Sequence, residues 1–349
     1  MDILKYDLEE ITQNKPLFQP LENKTLLITG ATGLIGSLLI KSILQYNETT
    51  PRKIKVIGIA RSLDKVNRIF KNYVYPTCQL QFMIQNIVDT IHMDEEVDYI
   101  VHTASITDSK QFVEFPVETI KTTVNGCENL LHFGYQKKVQ GFLYLSTLEV
   151  YGFPFEKNEI SYLDEKTFGS LDPCLSRSSY PEGKRLAECL CISYMEEYGL
   201  PVKIIRLSQT FGPGVLYNDN RVFAEFSRCL LEQRDIILRS QGNTVRNYCY
   251  TMDAIRAMLT VLIHGVKGEV YNVANKNTTA SIYDMAKLIC SLSQDSIGIK
   301  FELDNKNYGY NPEMKVALNT EKIEKLGWAP QYNLPEMFQR LIQDMSFNK

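Results

Sequence analysis

Residues 25–36 read TLLITGATGLIG: an apolar run, Thr25–Thr29, interrupted by Gly30-Ala31-Thr32-Gly33-Leu34-Ile35-Gly36 and continued by an amphipathic stretch. The run has the length and continuous apolar character of a strand buried on both faces. Glycines at 30, 33 and 36 allow a tight turn and keep side chains away, so a pyrophosphate can approach the backbone at the N-terminus of the helix that follows. A glycine triplet alone is a weak signal. Between a strand and a helix, near the start of an alternating region, it stands in the context that dinucleotide binding requires.

Working outward, further apolar runs of strand length are Lys55–Ala60, Gln81–Ile84, Tyr99–His102, Phe142–Ser146 and Val202–Arg206. Helical stretches such as Leu34–Gln45, Val117–Phe133 and Glu182–Tyr198 lie between them. Buried strands alternating with helices predict an α/β fold with a doubly wound parallel sheet, the NAD(P)-binding Rossmann type. After Arg206 the rhythm breaks: Phe211–Asp219, rich in Gly, Pro, Asn and Asp, reads as loop. Helices follow near Arg221–Glu232, Met252–Ile263, Ser281–Ser291 and Leu334–Met345. The chain divides on this reading into an N-terminal extension (1–24), a dinucleotide-binding domain (25–207) and a smaller C-terminal substrate-binding lobe (208–349), with 268–275 a strand that rejoins the main sheet.

The composition is that of an ordinary globular protein. Of 349 residues, 44% are apolar and 23% charged, and 38 Lys+Arg against 41 Asp+Glu leave a formal charge of −3. Near-neutrality removes any general electrostatic case for nucleic acid or an anionic membrane as partner. The longest uncharged stretch, Thr25–Ile40, is too short and too rich in glycine for a bilayer span of about 20 apolar residues. The acidic start, MDILKYDLEE, lacks the basic n-region and apolar h-region of a signal peptide, so a cytoplasmic location is expected. Eight cysteines and four histidines are scattered without metal-ligand spacing, so reduced thiols, mostly buried, and no metal are expected.

Two further motifs carry chemistry. Tyr180 and Lys184 in Tyr180-Pro181-Glu182-Gly183-Lys184 stand four apart, on one face of a helix. A lysine cation beside a tyrosine lowers the phenol, so that a phenolate can take a proton from a substrate hydroxyl as hydride leaves. Thr147, in Ser146-Thr147-Leu148-Glu149-Val150-Tyr151-Gly152 at the end of a core strand, offers a hydroxyl to the same substrate oxygen. Arg61 ends the second strand, where an acid is expected to hold a ribose. It can pair with a 2′-phosphate, stack on adenine or face solvent, so NADP stays open beside NAD; Asp64 lies within reach of a ribose. Asn86 and Ile87, after the third strand, are candidate adenine contacts.

With these motifs in this order, from Thr25 to about Leu292, the chain resembles the extended short-chain dehydrogenase/reductase enzymes of the NAD-dependent epimerase/dehydratase family, which modify nucleotide sugars. The resemblance implies cofactor contacts from Gly30, Thr32, Gly33, Leu34, Ile35 and Gly36, and from Thr103, Ala104 and Ser105 beside the cofactor ribose. It implies a catalytic set of Thr147, Tyr180 and Lys184, with Tyr180 and Lys184 also touching the cofactor and Glu149 joining them, and a homodimer formed through the helices near Val117–Phe133 and Glu182–Tyr198. Tyr180–Glu188 and Asn218–Val222 are most similar to UDP-glucuronate decarboxylases, and Arg246 matches an arginine those enzymes place on the nucleotide sugar. Glu149, Gln209, Arg221 and Arg246 are thus the substrate-binding candidates, the two guanidiniums supplying the positive charge a diphosphate needs.

Two positions depart from that pattern. Leu148 stands where decarboxylases carry serine and 4,6-dehydratases aspartate, and Gln209 where decarboxylases carry asparagine. Leucine neither donates nor accepts a proton, which counts against water elimination across C5–C6. Its side chain is expected to border that part of the sugar. The function expected is C4 oxidation of a nucleotide-diphosphate sugar with bound NAD(P), followed by decarboxylation. The alternatives are 4-epimerisation, simple 4-dehydrogenation or keto reduction and, in another class, a silent dinucleotide-binding sensor. Against the sensor stands the complete Thr/Tyr/Lys set.

Overall fold

The structure, a computed structural model, describes all residues except 1, 72, 74, 75, 154–158, 295, 304–312, 348 and 349. In chain order its first half holds α1 (Ile3–Thr12), β1 (Thr25–Thr29), α2 (Leu34–Asn47), β2 (Lys55–Ala60), α3 (Leu63–Ile69), β3 (Leu80–Ile84), β4 (Tyr99–His102), α4 (Ser109–Glu114), α5 (Pro116–Lys137), β5 (Gly141–Thr147), β6 (Ser161–Leu163), α6 (Ser179–Tyr198) and β7 (Val202–Leu207). There follow β8 (Gln209–Phe211), α7 (Val222–Leu231), β9 (Ile236–Leu238), β10 (Val245–Tyr250), α8 (Thr251–His264), β11 (Val270–Val273), β12 (Asn275–Ser281), α9 (Ile282–Leu292), β13 (Ile299–Phe301), β14 (Val316–Leu318), α10 (Glu321–Glu324) and α11 (Leu334–Phe347). Two 3₁₀ turns, Leu148–Tyr151 and Ser176–Ser178, matter below.

Seven strands form the main sheet in the order β3-β2-β1-β4-β5-β7-β11, every neighbouring pair parallel. Strand order reverses between β1 and β4, which opens a crevice at the carboxyl ends of the strands. Side chains alternate across the sheet, so both faces of β1 are apolar. Leu26 and Ile28 share one apolar core with Leu39 and Ile43 of α2 and Met258 and Leu262 of α8, whereas Leu27 belongs to a second core with Leu130 and Leu131 of α5 and Ala187 of α6. The expected return strand is β11, at the sheet's edge, with Val270 opposite Ile204.

The C-terminal part is built on a three-stranded sheet, β8-β10-β12. Phe211, expected as loop, instead closes β8 in parallel register with Tyr250 of β10. Its ring packs on Phe223 (4.7 Å) and Phe338 (4.9 Å), and that burial draws it out of the loop. The N-terminal segment from α1 onward packs into the large core: Leu8, Ile11 and Phe18 are buried there, and Phe18 stacks on Tyr46 of α2 at 4.7 Å. A small separate cluster joins Leu148, Val150 and Tyr151 to Leu163, Ala274, Met314, Val316 and Leu318.

Candidate functional site

The sharp turn after β1 is held by its own geometry. Gly30 has φ +64°, and a Cβ there would lie 2.8 Å from the Ala104 amide nitrogen and the Thr103 Oγ1. At Gly36 a Cβ would stand 2.3 Å from the Gly30 carbonyl oxygen. The Thr103 hydroxyl donates to the Thr29 carbonyl (2.6 Å), and the Ala104 amide donates to Thr29 Oγ1 (3.2 Å), so 103–105 lies against the glycine turn. Thr29 Oγ1 also meets His102 Nδ1 at 2.8 Å, and burial with the nearby Lys184 charge pushes that imidazole down to about 3. Gly33 begins α2 without a side-chain capping bond, so the first-turn amides carry no side-chain acceptor. Such amides, at the positive end of a helix and beside a turn that excludes side chains, suit a pyrophosphate. Thr32, Leu34 and Ile35 are half-buried on the same turn.

Arg61 and Asp64 are exposed just past β2, and Asn86 is exposed past β3, at the same edge of the sheet. The side chain of Ile87 is buried in the core against Gly126, where an added Cβ would meet it at 2.8 Å. Contact from that residue to an adenine is therefore left to its backbone, whose carbonyl accepts a hydrogen bond from Asn129 Nδ2 (2.9 Å).

Tyr180, 7% exposed, lies in the first turn of α6, with its phenol near the Thr147 and Ser105 hydroxyls. The 103–105 segment thus joins the glycine turn to the phenol. Lys184, one turn on and 3% exposed, donates from Nζ to the Leu145 carbonyl (2.7 Å) and sits 4.7 Å above the Tyr144 ring. Burial pushes its ammonium down to about 8, against an upward pull from groups that include Glu188. The lowered phenol expected from this lysine is not what the structure holds. Burial, and then the Glu149 charge, place the Tyr180 phenol well above the ordinary range, while Thr147, Arg177 and Ser105 pull it down.

Glu149 leaves β5 through the first 3₁₀ turn and is ion-paired with Arg177 of the second, Oε2 to Nη2 at 2.8 Å. The guanidinium stacks on Phe112 at 4.8 Å, and Phe112 lies parallel to the Tyr180 ring at 4.3 Å and 4°. Neither Arg177 nor Phe112 was expected at this site. No spacing rule marks them, because a short helix and a one-turn segment reach Tyr180 only in the folded chain.

The remaining candidates surround β8 and β10. Gln209 lies opposite Tyr248 in register, two residues along β10 from Arg246. Arg246 places Nη2 3.2 Å from Met314 Sδ, and its Nε is buried with no hydrogen-bond partner among the described residues. Arg221, expected to offer its charge to a diphosphate, is already matched: Nε and Nη2 reach the Asp219 carboxylate at 2.9 and 2.6 Å, and the guanidinium covers Phe223. Leu148 is 6% exposed, inside the small apolar cluster with Met314 and Val316; it turns into packing and not toward an open face.

Among the described residues no group of three or more His, Cys, Asp or Glu could hold a metal ion, and no helix is long and apolar enough to cross a membrane. None of the eight cysteines is in a disulfide, and five are buried. Cys127 and Cys191, distant in sequence, bring their sulfurs to 3.8 Å between α5 and α6.

Comparison with known proteins agrees with this architecture. The chain is 28% identical over 325 residues to a human dTDP-D-glucose 4,6-dehydratase, covering 92% of this chain and 89% of that one. It is 30% identical over 325 residues to UDP-glucuronic acid decarboxylase 1 of Xenopus tropicalis, covering 92% and 72%. In fold it is similar to the UDP-glucuronic acid 4-epimerase of Bacillus cereus, crystallised with UDP-glucuronic acid and NAD, with a TM-score of 0.77, 22% identity and coverage of 93% and 100%. Residues 26–274 match the sequence model of the NAD dependent epimerase/dehydratase family, and with most of its length so accounted for the chain belongs to that family.

Proposed function

We propose that this chain binds NAD and oxidises the C4 hydroxyl of a nucleotide-diphosphate sugar, and that the resulting 4-keto sugar acid loses its C6 carboxylate, as in the UDP-glucuronic acid decarboxylases it resembles. Gly30, Gly33, Gly36 and the first turn of α2 hold the pyrophosphate, with Thr103, Ala104 and Ser105 beside the nicotinamide ribose. NAD, when bound, takes the C4 hydride and can return it, leaving no net redox. Tyr180 accepts the C4 hydroxyl proton once it has itself released its proton to form the phenolate, Thr147 orients that oxygen, and Lys184 fixes the floor of the site through Leu145. Arg246, whose charge has no carboxylate partner in the contacts above, binds the sugar nucleotide, with Gln209 beside it. Arg61, exposed at the end of β2, is where a 2′-phosphate would be met if NADP were used.

The observation that carries the reading is the placement of the buried Tyr180 phenol near the Thr147 and Ser105 hydroxyls, with Lys184 one turn further along α6, which sets a proton acceptor and an orienting hydroxyl close to the glycine turn. Decarboxylation is favoured over dehydration because Glu149, the carboxylate nearest Tyr180 in the contacts described, is paired with Arg177, and position 148 supplies no second proton-carrying group. Water elimination needs an acid and a base, whereas a β-keto acid supplies its own electron sink. Exposed Val117, Ile120 and Tyr135 on α5, with Leu186 and Tyr198 on α6, suit a homodimer through these helices, to be read by sedimentation.

Mass spectrometry of the protein with UDP-, dTDP-, GDP- and CDP-sugars tests the reading. Loss of carbon dioxide from a uronate is expected. Unchanged mass with a new retention time would make the chain a 4-epimerase. A 4-keto-6-deoxy product would make the chain a 4,6-dehydratase and overturn the reading, and silence across the panel would leave a binding-only protein.

A further inference from the structure

We infer that Arg177 is a positioning residue of this site, holding the Glu149 carboxylate and, through Phe112, the plane of the Tyr180 ring; the inference rests on the roles proposed above for Tyr180 and Glu149. Three observations carry it. The ion pair at 2.8 Å joins side chains only 17% and 18% exposed, one from each 3₁₀ turn. The guanidinium, Phe112 and the phenol form a continuous stack, and the Ser179 hydroxyl donates to the Phe112 carbonyl (3.1 Å), which ties α4 to the start of α6. Arg177 Nε and Nη1 are buried with no hydrogen-bond partner among the described residues. Leaving buried donors unmet costs stability, and folds keep such costs mainly where function needs them.

The groups acting on the phenol are Glu149 and Arg177 from the two turns, Tyr144 from β5, over whose ring Lys184 of α6 sits, and the Thr147 and Ser105 hydroxyls. Glu149 favours the protonated phenol and Arg177 the phenolate. Removing the guanidinium leaves the carboxylate unopposed beside the base, so the proton is released only at higher pH. It also frees the Phe112 ring, and the phenol loses the surface that fixes its plane.

Arg177→Gln, Arg177→Lys and Phe112→Leu test this on the nucleotide sugar that the wild type turns over. Arg177→Gln is expected to lower kcat by about 10- to 100-fold with KM changed much less, and to move the rising limb of kcat against pH upward. Arg177→Lys keeps a cation beside Glu149 and is expected to return that limb toward its wild-type place. Phe112→Leu is expected to lower kcat without moving the limb. An Arg177→Gln protein with wild-type kcat and an unmoved limb overturns the inference. Should Arg177→Gln fail to fold, Arg177→Lys and Phe112→Leu decide, and wild-type behaviour in both overturns it. If the wild type acts on no nucleotide sugar, the proposed function fails separately. Arg177 is then read by fluorine NMR of fluorotyrosine-labelled protein, with the resonance of position 180 assigned through Tyr180→Phe. Its titration midpoint rises in Arg177→Gln if the inference holds and stays in place if it does not.

Discussion

At Tyr180 a single oxygen separates structure from chemistry. Its ring is packed on Phe112, and its hydroxyl meets Thr147 and Ser105. Tyr180→Phe keeps the packed ring and removes only the proton acceptor. Turnover is expected to fall by about 10²–10⁴-fold, while NAD binding by calorimetry and the melting temperature stay near wild type. Near-normal turnover would move the base elsewhere. The spacing of Tyr180 and Lys184 was legible from helical periodicity, and Thr147 from its place at the end of an apolar run. The direction of the phenol was not. It depends on burial, on the Glu149 charge and on Arg177, while Lys184 donates a hydrogen bond to the Leu145 carbonyl; only the folded chain makes these contacts.

At the scale of elements, the turn between β1 and α2 is tightly constrained. A methyl at position 36 would lie 2.3 Å from the Gly30 carbonyl oxygen, a backbone atom that cannot swing aside. Gly36→Ala must therefore shift the turn or the start of α2, and with it the amides that face a pyrophosphate. NAD affinity by titration calorimetry is expected to drop about tenfold or more, a loss on the order of 1.4 kcal/mol. Unchanged affinity would show that the dinucleotide does not use this helix end. The glycine triplet was legible because strand, turn and helix are contiguous, so their pattern is local. By contrast, Leu148 was expected at the sugar, yet it belongs to a cluster with Leu163, Ala274 and Met314.

For the molecule as a whole, α1 is clamped by charge as well as by apolar packing. Asp7 is buried against Tyr250 of β10 and Arg340 of α11, and Glu10 meets the Tyr332 hydroxyl. Burial, against the pull of Tyr250 and Arg340, pushes the Asp7 carboxyl from 3.8 up to about 6. The folded state therefore holds this proton more tightly than the unfolded chain does. The associated stability is complete below about pH 4 and is lost as pH rises through about 6, an effect on the order of 2–3 kcal/mol. Asp7→Asn cannot ionise, so it should gain on the wild type by that amount between pH 4 and 7 in urea unfolding. A constant gap between the two proteins across that range would show that Asp7 does not titrate there.

Fold class, the alternation of the main-sheet strands with helices over 25–207 and the glycine turn between β1 and α2 were legible in the sequence alone, whereas β6, β8, β10 and β12 were not. Period-two and period-3.6 burial, glycine conformation and helix starts are properties of short segments, which each stretch carries with it. Other features exist only in the folded chain. The neutral imidazole of His102, the Arg177–Phe112–Tyr180 stack, the Asp219 partner that occupies Arg221 and the contact of Cys127 with Cys191 are among them. Each depends on the environment that several distant segments create together. Desolvation and charge–charge coupling act through space, and residues that share no local pattern become neighbours only when the sheet, its flanking helices and the C-terminal lobe close around them.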